Sequence, residues 1–493
     1  MRVARFAVPV ASVLSLLLLS LASLPSAADS WVETNEADFL RGAASNVTVA
    51  PSGDIFLGPD GGSLTGNGIA VDIGAPGSPD RVRAYNPSVL REDNGAYAMW
   101  YAGFDGVAHR ILRATSLDGR AWTKEGVALD VGQAPWDFTS VSAPFVLKEG
   151  GSYRMWFHGA SAAGAQIYYA SSTDGSAWTV EGLALARGAA GEWDRGWVHY
   201  PFVARNGTDY WLYYAGWDGA ATTRIGLAVA SGPTGFVRHP ENPILSPGAA
   251  GAWDDAGVFT PSVLPGTLWR MFYVGNDPGT NQLGLAYSPD GLSWTRWPGN
   301  PLLSPSPGPT WDDAGILSAF LVPDDAGGRL YYTGSDGSRQ RIGLANFTER
   351  FLPEGSLLSR PFDSGSAETT WAVLAWNADV PDGTTLEVSI RVGDVPTPDA
   401  TWSPWTSGTD ASGTPLGVLH GRHAQYLVRL AGSGTATPVF HDLSITYDLV
   451  RTEPWSVWPW IALALVPLVA FLIALVAVVR RRRRGGKAAP PRS

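Results

Sequence analysis

The sequence predicts an all-β protein: a five-bladed β-propeller, then a β-sandwich, with one C-terminal transmembrane helix. Three observations predict it. Two unrelated landmarks repeat in step five times, the residues between them alternate like short strands, and an uncharged apolar run precedes a block of arginines near the C-terminus.

The first landmark is an aromatic residue, any residue, then glycine: Tyr101-Ala102-Gly103, Phe157-His158-Gly159, Tyr214-Ala215-Gly216, Tyr273-Val274-Gly275 and Tyr332-Thr333-Gly334. Successive copies lie 56, 57, 59 and 59 residues apart. The second is an aspartate seven residues before a proline: Asp80/Pro87, Asp137/Pro144, Asp194/Pro201 and Asp254/Pro261, with Ala319 in the proline place after Asp312. Within a unit, residues 87–90, 97–101 and 111–115 read as three strands, and a fourth follows Trp122. Like units bury a common core only when each has neighbours. Five four-stranded units closed into a ring also leave few sheet edges exposed. This assigns the propeller to 80–348.

A third element, Ser116-Leu117-Asp118-Gly119-Arg120-Ala121-Trp122, recurs at 172–178 and 288–294. Asp-Gly makes a tight turn and the tryptophan packs on the blade. The element resembles the Asp-box of sialidase-like propellers, a device of the fold that is expected on the face away from the ligand.

The flanks follow the same logic. Residues 357–449 alternate apolar and polar between turn clusters such as Pro381-Asp382-Gly383, and read as a jelly-roll-like β-sandwich. The 29–79 segment holds a short strand pair, free to pack on the sandwich or to close the last blade. Residues 1–28 read as a signal peptide: Arg2 and Arg5, an apolar run, then Ser26-Ala27-Ala28 for cleavage. Residues 458–479 carry no charge and are long enough to span a bilayer as a helix. Arg480 to Arg484 open the basic 480–493 tail, which the positive-inside rule keeps in the cytoplasm. The bulk of the chain is then extracellular, on a single-pass membrane protein.

Composition narrows the partners. The whole chain carries −10, and the part outside the membrane is more acidic still once the basic ends are set aside. That disfavours nucleic acid and fits neutral ligands such as sugars. There is no cysteine, so stability must come from core size rather than disulfides. No cofactor motif is present, and the seven histidines show no metal-ligand spacing. Oligomeric state is not legible.

Together the Trp-Asp, Pro-hydrophobic, aromatic-x-Gly and Ser-x-Asp-Gly-x-x-Trp repeats resemble the five-bladed arabinanase, levansucrase and invertase superfamily of glycosidases (families 43 and 32). The resemblance covers about residues 80–347. It implies a carboxylate pair at the inner blade ends, one acid and one base. It places the base just before the first-blade proline, where this chain has Asn86, and the acid before a later one. Ser142-Ala143, His199-Tyr200, Phe259-Thr260 and Leu317-Ser318 occupy the later positions, and none is a carboxylate.

Several residues that break the repeat could still hold a sugar, through an aromatic face and planar polar groups. They are Arg83, Tyr85 and Asn86 from the first blade, and Arg195, Trp197, His199 and Tyr200 from the third. Asp255 and Asp313 occur in only two blades and are the leading acids, with Asp194 beside them. The recurrence of Asp137, Asp194, Asp254 and Asp312 suits backbone capping better than chemistry. The expected function is a cell-surface, glycoside hydrolase-like protein acting on an extracellular oligo- or polysaccharide. The alternative is a non-catalytic glycan-binding or adhesion protein using the same propeller face.

Overall fold

The computed structural model describes residues 28–449, apart from 163, 221, 325 and 326. The predicted signal peptide up to residue 27, the 458–479 helix and the basic tail lie outside the described residues. Among those described, no helix is long and apolar enough to cross a membrane. The chain is all-β: Glu36–Phe39 is the one α-helix among the described elements, capped by the Asn35 side chain.

Five antiparallel four-stranded blades form the larger body. Blade 1 is Arg83–Arg91, Tyr97–Phe104, His109–Ser116 and Thr123–Leu129. Blade 2 is Ser140–Glu149, Ser152–Ser161, Gly164–Ser172 and Thr179–Leu185. Blade 3 is Trp197–Asn206, Asp209–Trp217, Thr223–Ala230 and Val237–Arg238. Blade 4 is Gly257–Leu264, Trp269–Asp277, Thr280–Ser288 and Thr295–Arg296. Blade 5 takes Gly315–Asp324, Gly327–Ser335 and Gln340–Phe351 from the last repeat. Its outer strand, Pro59–Val71, comes from the N-terminal segment and pairs antiparallel with Gln340–Phe351. The first strand of each blade touches that of the next, and blade 5 touches blade 1, so the ring is closed.

The N-terminal segment serves both of its possible roles. Besides that outer strand, Asp29–Glu33, Val47–Val49 and Ile55–Leu57 join the sandwich sheet built on Thr370–Asp379 and Val439–Asp448. The facing sheet centres on His423–Ala431, flanked by Glu354–Leu358 and Thr385–Gly393. Trp371, Leu374, Tyr426 and Ile445 fill the space between. Buried Glu33 accepts hydrogen bonds from the Tyr426 hydroxyl and from Trp31 Nε1, which fixes the first strand to that core.

Second strands lie between neighbouring blades and are buried on both faces, which explains their continuous aromatic and aliphatic runs. In four blades the residue before the aromatic-x-Gly stitches its blade to the next. Trp100 Nε1 donates to the Gly175 carbonyl at 2.8 Å, Tyr213 to Gly291 at 2.9 Å and Tyr331 to Gly119 at 2.6 Å. Those carbonyls belong to the Asp-Gly turns, which are held by identical bonds. The Gly119 N–H donates to Ser116 Oγ, and the Arg120 and Ala121 N–H groups to the Asp118 carboxylate. Blade 3 has no such turn, and Trp156 uses the Pro233 carbonyl. At the last junction Phe272 has no donor, and Tyr287 bonds the Gly61 carbonyl instead. Trp100→Phe should cost about 1 kcal/mol by removing one such bond, read as a lower urea midpoint at constant slope.

The repeated aspartates are structural, but not through backbone capping. Asp80, Asp194, Asp254 and Asp312 are all but fully buried. Each accepts a hydrogen bond from the hydroxyl of its blade's aromatic-x-Gly tyrosine: Tyr101, Tyr214, Tyr273 and Tyr332. In blades 1, 3 and 4 a cation from the fourth strand completes the set: Lys124, Arg238 and Arg296. Asp194, a candidate acid or base from the sequence, is fully buried, and its Oδ2 accepts from Tyr214 and Arg238. In blade 2 all three positions are apolar together. Phe157 replaces the tyrosine, Val180 occupies the cation's register, and Phe138 packs where the aspartate would sit while Asp137 turns outward. A buried charge is tolerable with its partners, and the apolar substitute works only as a set.

Candidate functional site: the mouth of the propeller

The first strand of every blade carries a register shift where it nears the axis. It lies between Tyr85 and Ser88, Ser142 and Phe145, His199 and Phe202, Phe259 and Ser262, and Ile316 and Ser318. In four blades the residue before the proline has a left-handed backbone: Asn86 at φ 52°, Ala143 at 47°, Tyr200 at 52° and Thr260 at 49°. Proline has no N–H for the ladder, and the bulge turns the preceding residue onto the axial channel. Asparagine tolerates this conformation. Alanine, tyrosine and above all β-branched threonine are strained in it. The fifth blade lacks the proline and has no such residue.

Beside this ring a polar and aromatic cluster spans blades 1 to 3. The Tyr85 hydroxyl lies 2.6 Å from His109 Nδ1. Phe104 stacks on His109 with ring centres 4.2 Å apart, and the Arg83 guanidinium sits over Phe104 at 5.4 Å. Ser142 Oγ is 3.2 Å from His158 Nδ1, and the His158 and His199 rings are 3.7 Å apart. The Tyr200 N–H donates to His199 Nδ1 at 2.9 Å, which leaves the ring proton of neutral His199 on Nε2. Trp197 stacks on Trp217, and Tyr200 approaches Phe259.

Burial sets the charge state of this cluster. It drives the His158 pKa down to about 3, with His109 adding to the effect. It holds His199 well below the ordinary imidazole range and lowers His109, where Arg83 contributes. It raises the Tyr85 phenol and pushes Tyr200 up to about 12. At neutral pH the cluster holds neutral imidazoles and protonated phenols. No group of three His, Cys, Asp or Glu among the described residues is placed to hold a metal ion.

Of the residues singled out in the sequence, Arg83, Tyr85, Trp197, His199 and Tyr200 meet here, and Asn86 lines the adjoining channel with its N–H bonded to Thr333 Oγ1. Three residues lie apart. Arg195 is exposed and spends its Nε on the Asp218 carbonyl. The Asp255 carboxylate accepts from the Gly251 N–H of its own loop at 2.7 Å, and Asp313 is half-buried on the loop before blade 5. Neither carboxylate bonds to a member of the cluster. His109, Ser142 and His158 were missed. A signal existed for His158. It fills the middle of an aromatic-x-Gly triplet, where other blades have alanine, valine or threonine.

A concavity of about 830 Å³ lies on the opposite face between blades 1 and 2. Its Lys148 is paired with Glu92 and Asp93. That hollow has its charges satisfied from within, whereas the mouth does not.

Similar proteins include Rv1502, an uncharacterized protein of Mycobacterium tuberculosis strain H37Rv. It is 35% identical over 150 residues, which are 28% of this chain and 48% of that protein. MT1551, an uncharacterized protein of strain CDC 1551, matches to the same extent. The chain thus spans about half the length of the curated relatives it matches. No family model matches. Similar solved structures include glycoside hydrolases. Zg3597, a family 117 glycoside hydrolase of Zobellia galactanivorans, is 19% identical with a TM-score of 0.45, covering 59% of this chain and 92% of that one. A thermostable family-43 glycoside hydrolase is 16% identical with a TM-score of 0.44, covering 55% and 90%. An exo-1,5-α-L-arabinanase from a bovine ruminal metagenomic library is 13% identical with a TM-score of 0.41, covering 56% and 95%.

Proposed function

We propose that this is a cell-surface glycan-binding protein that seats a sugar at the propeller mouth without hydrolysing it. The observation that carries this reading is the make-up of the mouth: aromatic rings and neutral hydrogen-bonding groups, with no carboxylate in the cluster. Rings such as Trp197 and Tyr85 suit the C–H faces of a pyranose, and imidazoles and amides suit its hydroxyls. Hydrolysis by the usual route needs two carboxyl groups flanking one glycosidic bond. The hydrolase reading would have to recruit Asp255 or Asp313, and Asp255 is engaged by its own loop. The surface location rests on the sequence of residues 458–479 and the arginines that follow.

The test is the purified protein on a glycan array and on aryl glycosides. Binding without release of aglycone is expected, and Trp197→Ala should weaken that binding roughly tenfold by removing the stacking face. Aglycone release that disappears in Asp255→Asn would restore the hydrolase reading.

A further inference from the structure

We propose that the sugar is acidic: a glycan bearing a uronate carboxylate, received by Arg83. This rests on the glycan-binding reading and adds the ligand's charge. Arg83 stands two residues before Tyr85 on one strand, so both side chains leave the same side of it. Phe104 lies beneath the guanidinium. Among the described residues Arg83 makes no ion pair and donates no side-chain hydrogen bond to protein.

Its neighbours are spoken for. Arg110 is paired with Asp105 at 2.8 Å and Asp130 at 2.7 Å. Arg341 is paired with Asp72 and Asp336, both at 2.8 Å. The loop carboxylates at this end are also taken. Asp105 accepts from the Val107 and Ala108 N–H groups, and Asp336 from those of Ser338 and Arg339. A planar cation is left over at the edge of a carboxylate-free cluster, on a chain that is acidic overall. A guanidinium fork matches the two coplanar oxygens of a carboxylate, and its aromatic support holds it flat for that contact.

The same cluster holds a second unsatisfied group. His158 is only 7% exposed, yet its Nε2 has no hydrogen-bond partner. A buried polar atom left so costs free energy until something meets it. The ring sits against His199 in the same cluster, with centroids 3.7 Å apart.

The experiment is calorimetric titration of the full chain with an oligogalacturonate, its carboxyl-reduced counterpart and a sulfated neutral oligosaccharide. The oligogalacturonate should bind roughly ten- to hundredfold more tightly than the reduced form. Added salt should narrow that gap. Arg83→Gln should erase the preference, and Arg83→Lys should recover part of it. Trp197→Ala should weaken all binding alike, which separates loss of charge recognition from loss of the site. Equal affinity for the reduced glycan, an unchanged Arg83→Gln variant or preference for the sulfated ligand would overturn the acidic-sugar proposal and leave glycan binding standing. Failure to bind any of these ligands or any glycan on the array would overturn both.

Discussion

Asp254→Ala should lower the stability of the propeller by about 3–5 kcal/mol and leave glycan binding unchanged. The carboxylate is 1% exposed and accepts from Tyr273 at 3.1 Å and from Arg296 Nε at 2.7 Å. Removing it leaves a phenol with no acceptor and a partly buried guanidinium with no counter-charge. The same change at Asp194 should behave alike, because Tyr214 and Arg238 stand in the same relation to it. Urea unfolding provides the check. A loss below about 1 kcal/mol, the scale of an exposed ion pair, would mean that these aspartates are not anchors.

Acid should unfold the protein through the mouth. His158 and His199 have folded pKa values below the ordinary 6.5. Their neutral forms fit the folded state, and the unfolded chain takes up protons first. Their contribution is therefore complete above pH 6.5 and is lost as pH falls towards the folded values, about 3 for His158. Each proton taken up is worth about 1.4 kcal/mol per pH unit, so the pair should give a slope of roughly 3 kcal/mol per unit between pH 6 and 5. His441 has the opposite sign. Held between Asp54 and Asp379, its pKa is raised, so its contribution is present below 6.5 and fades as pH rises past its folded value. Its share is thus flat in the window where the other two titrate. His109, also lowered, adds to the slope, so His158→Asn should take away about 1.4 kcal/mol per unit of it whatever it does to baseline stability. A slope that survives this substitution would place the acid lability elsewhere.

The ring was legible because blade packing repeats a physical demand. Each second strand needs an aromatic residue and a close-fitting glycine, and each Asp-Gly turn needs the same serine and tryptophan. The outer strand of blade 5 was not legible as such, because Pro59–Val71 lies over 250 residues from its partner and carries none of the repeat's landmarks. The repeated aspartates were read as structural, but their partners were not found. The tyrosine lies about 20 residues downstream and the cation more than 40, separations that no local pattern records. The mouth was half legible. Departures from the repeat exposed Arg83, Tyr85, Trp197 and His199. The histidine group stayed hidden because its members occupy three different strands: His109 on a third, His158 on a second and His199 on a first. Spacing along the chain is blind to such a meeting, which exists only once the blades are arranged about an axis.

The origin of that outer strand has a consequence for biogenesis. Pro59–Val71 leaves the ribosome first among the propeller's strands, and its partner, Gln340–Phe351, leaves last. Throughout synthesis the early strand waits with its backbone unpaired, and four blades can assemble while the circle is still a horseshoe. The last repeat to emerge supplies the latch, so a chain truncated before residue 340 would leave Pro59–Val71 without its partner and blade 5 with only its two inner strands.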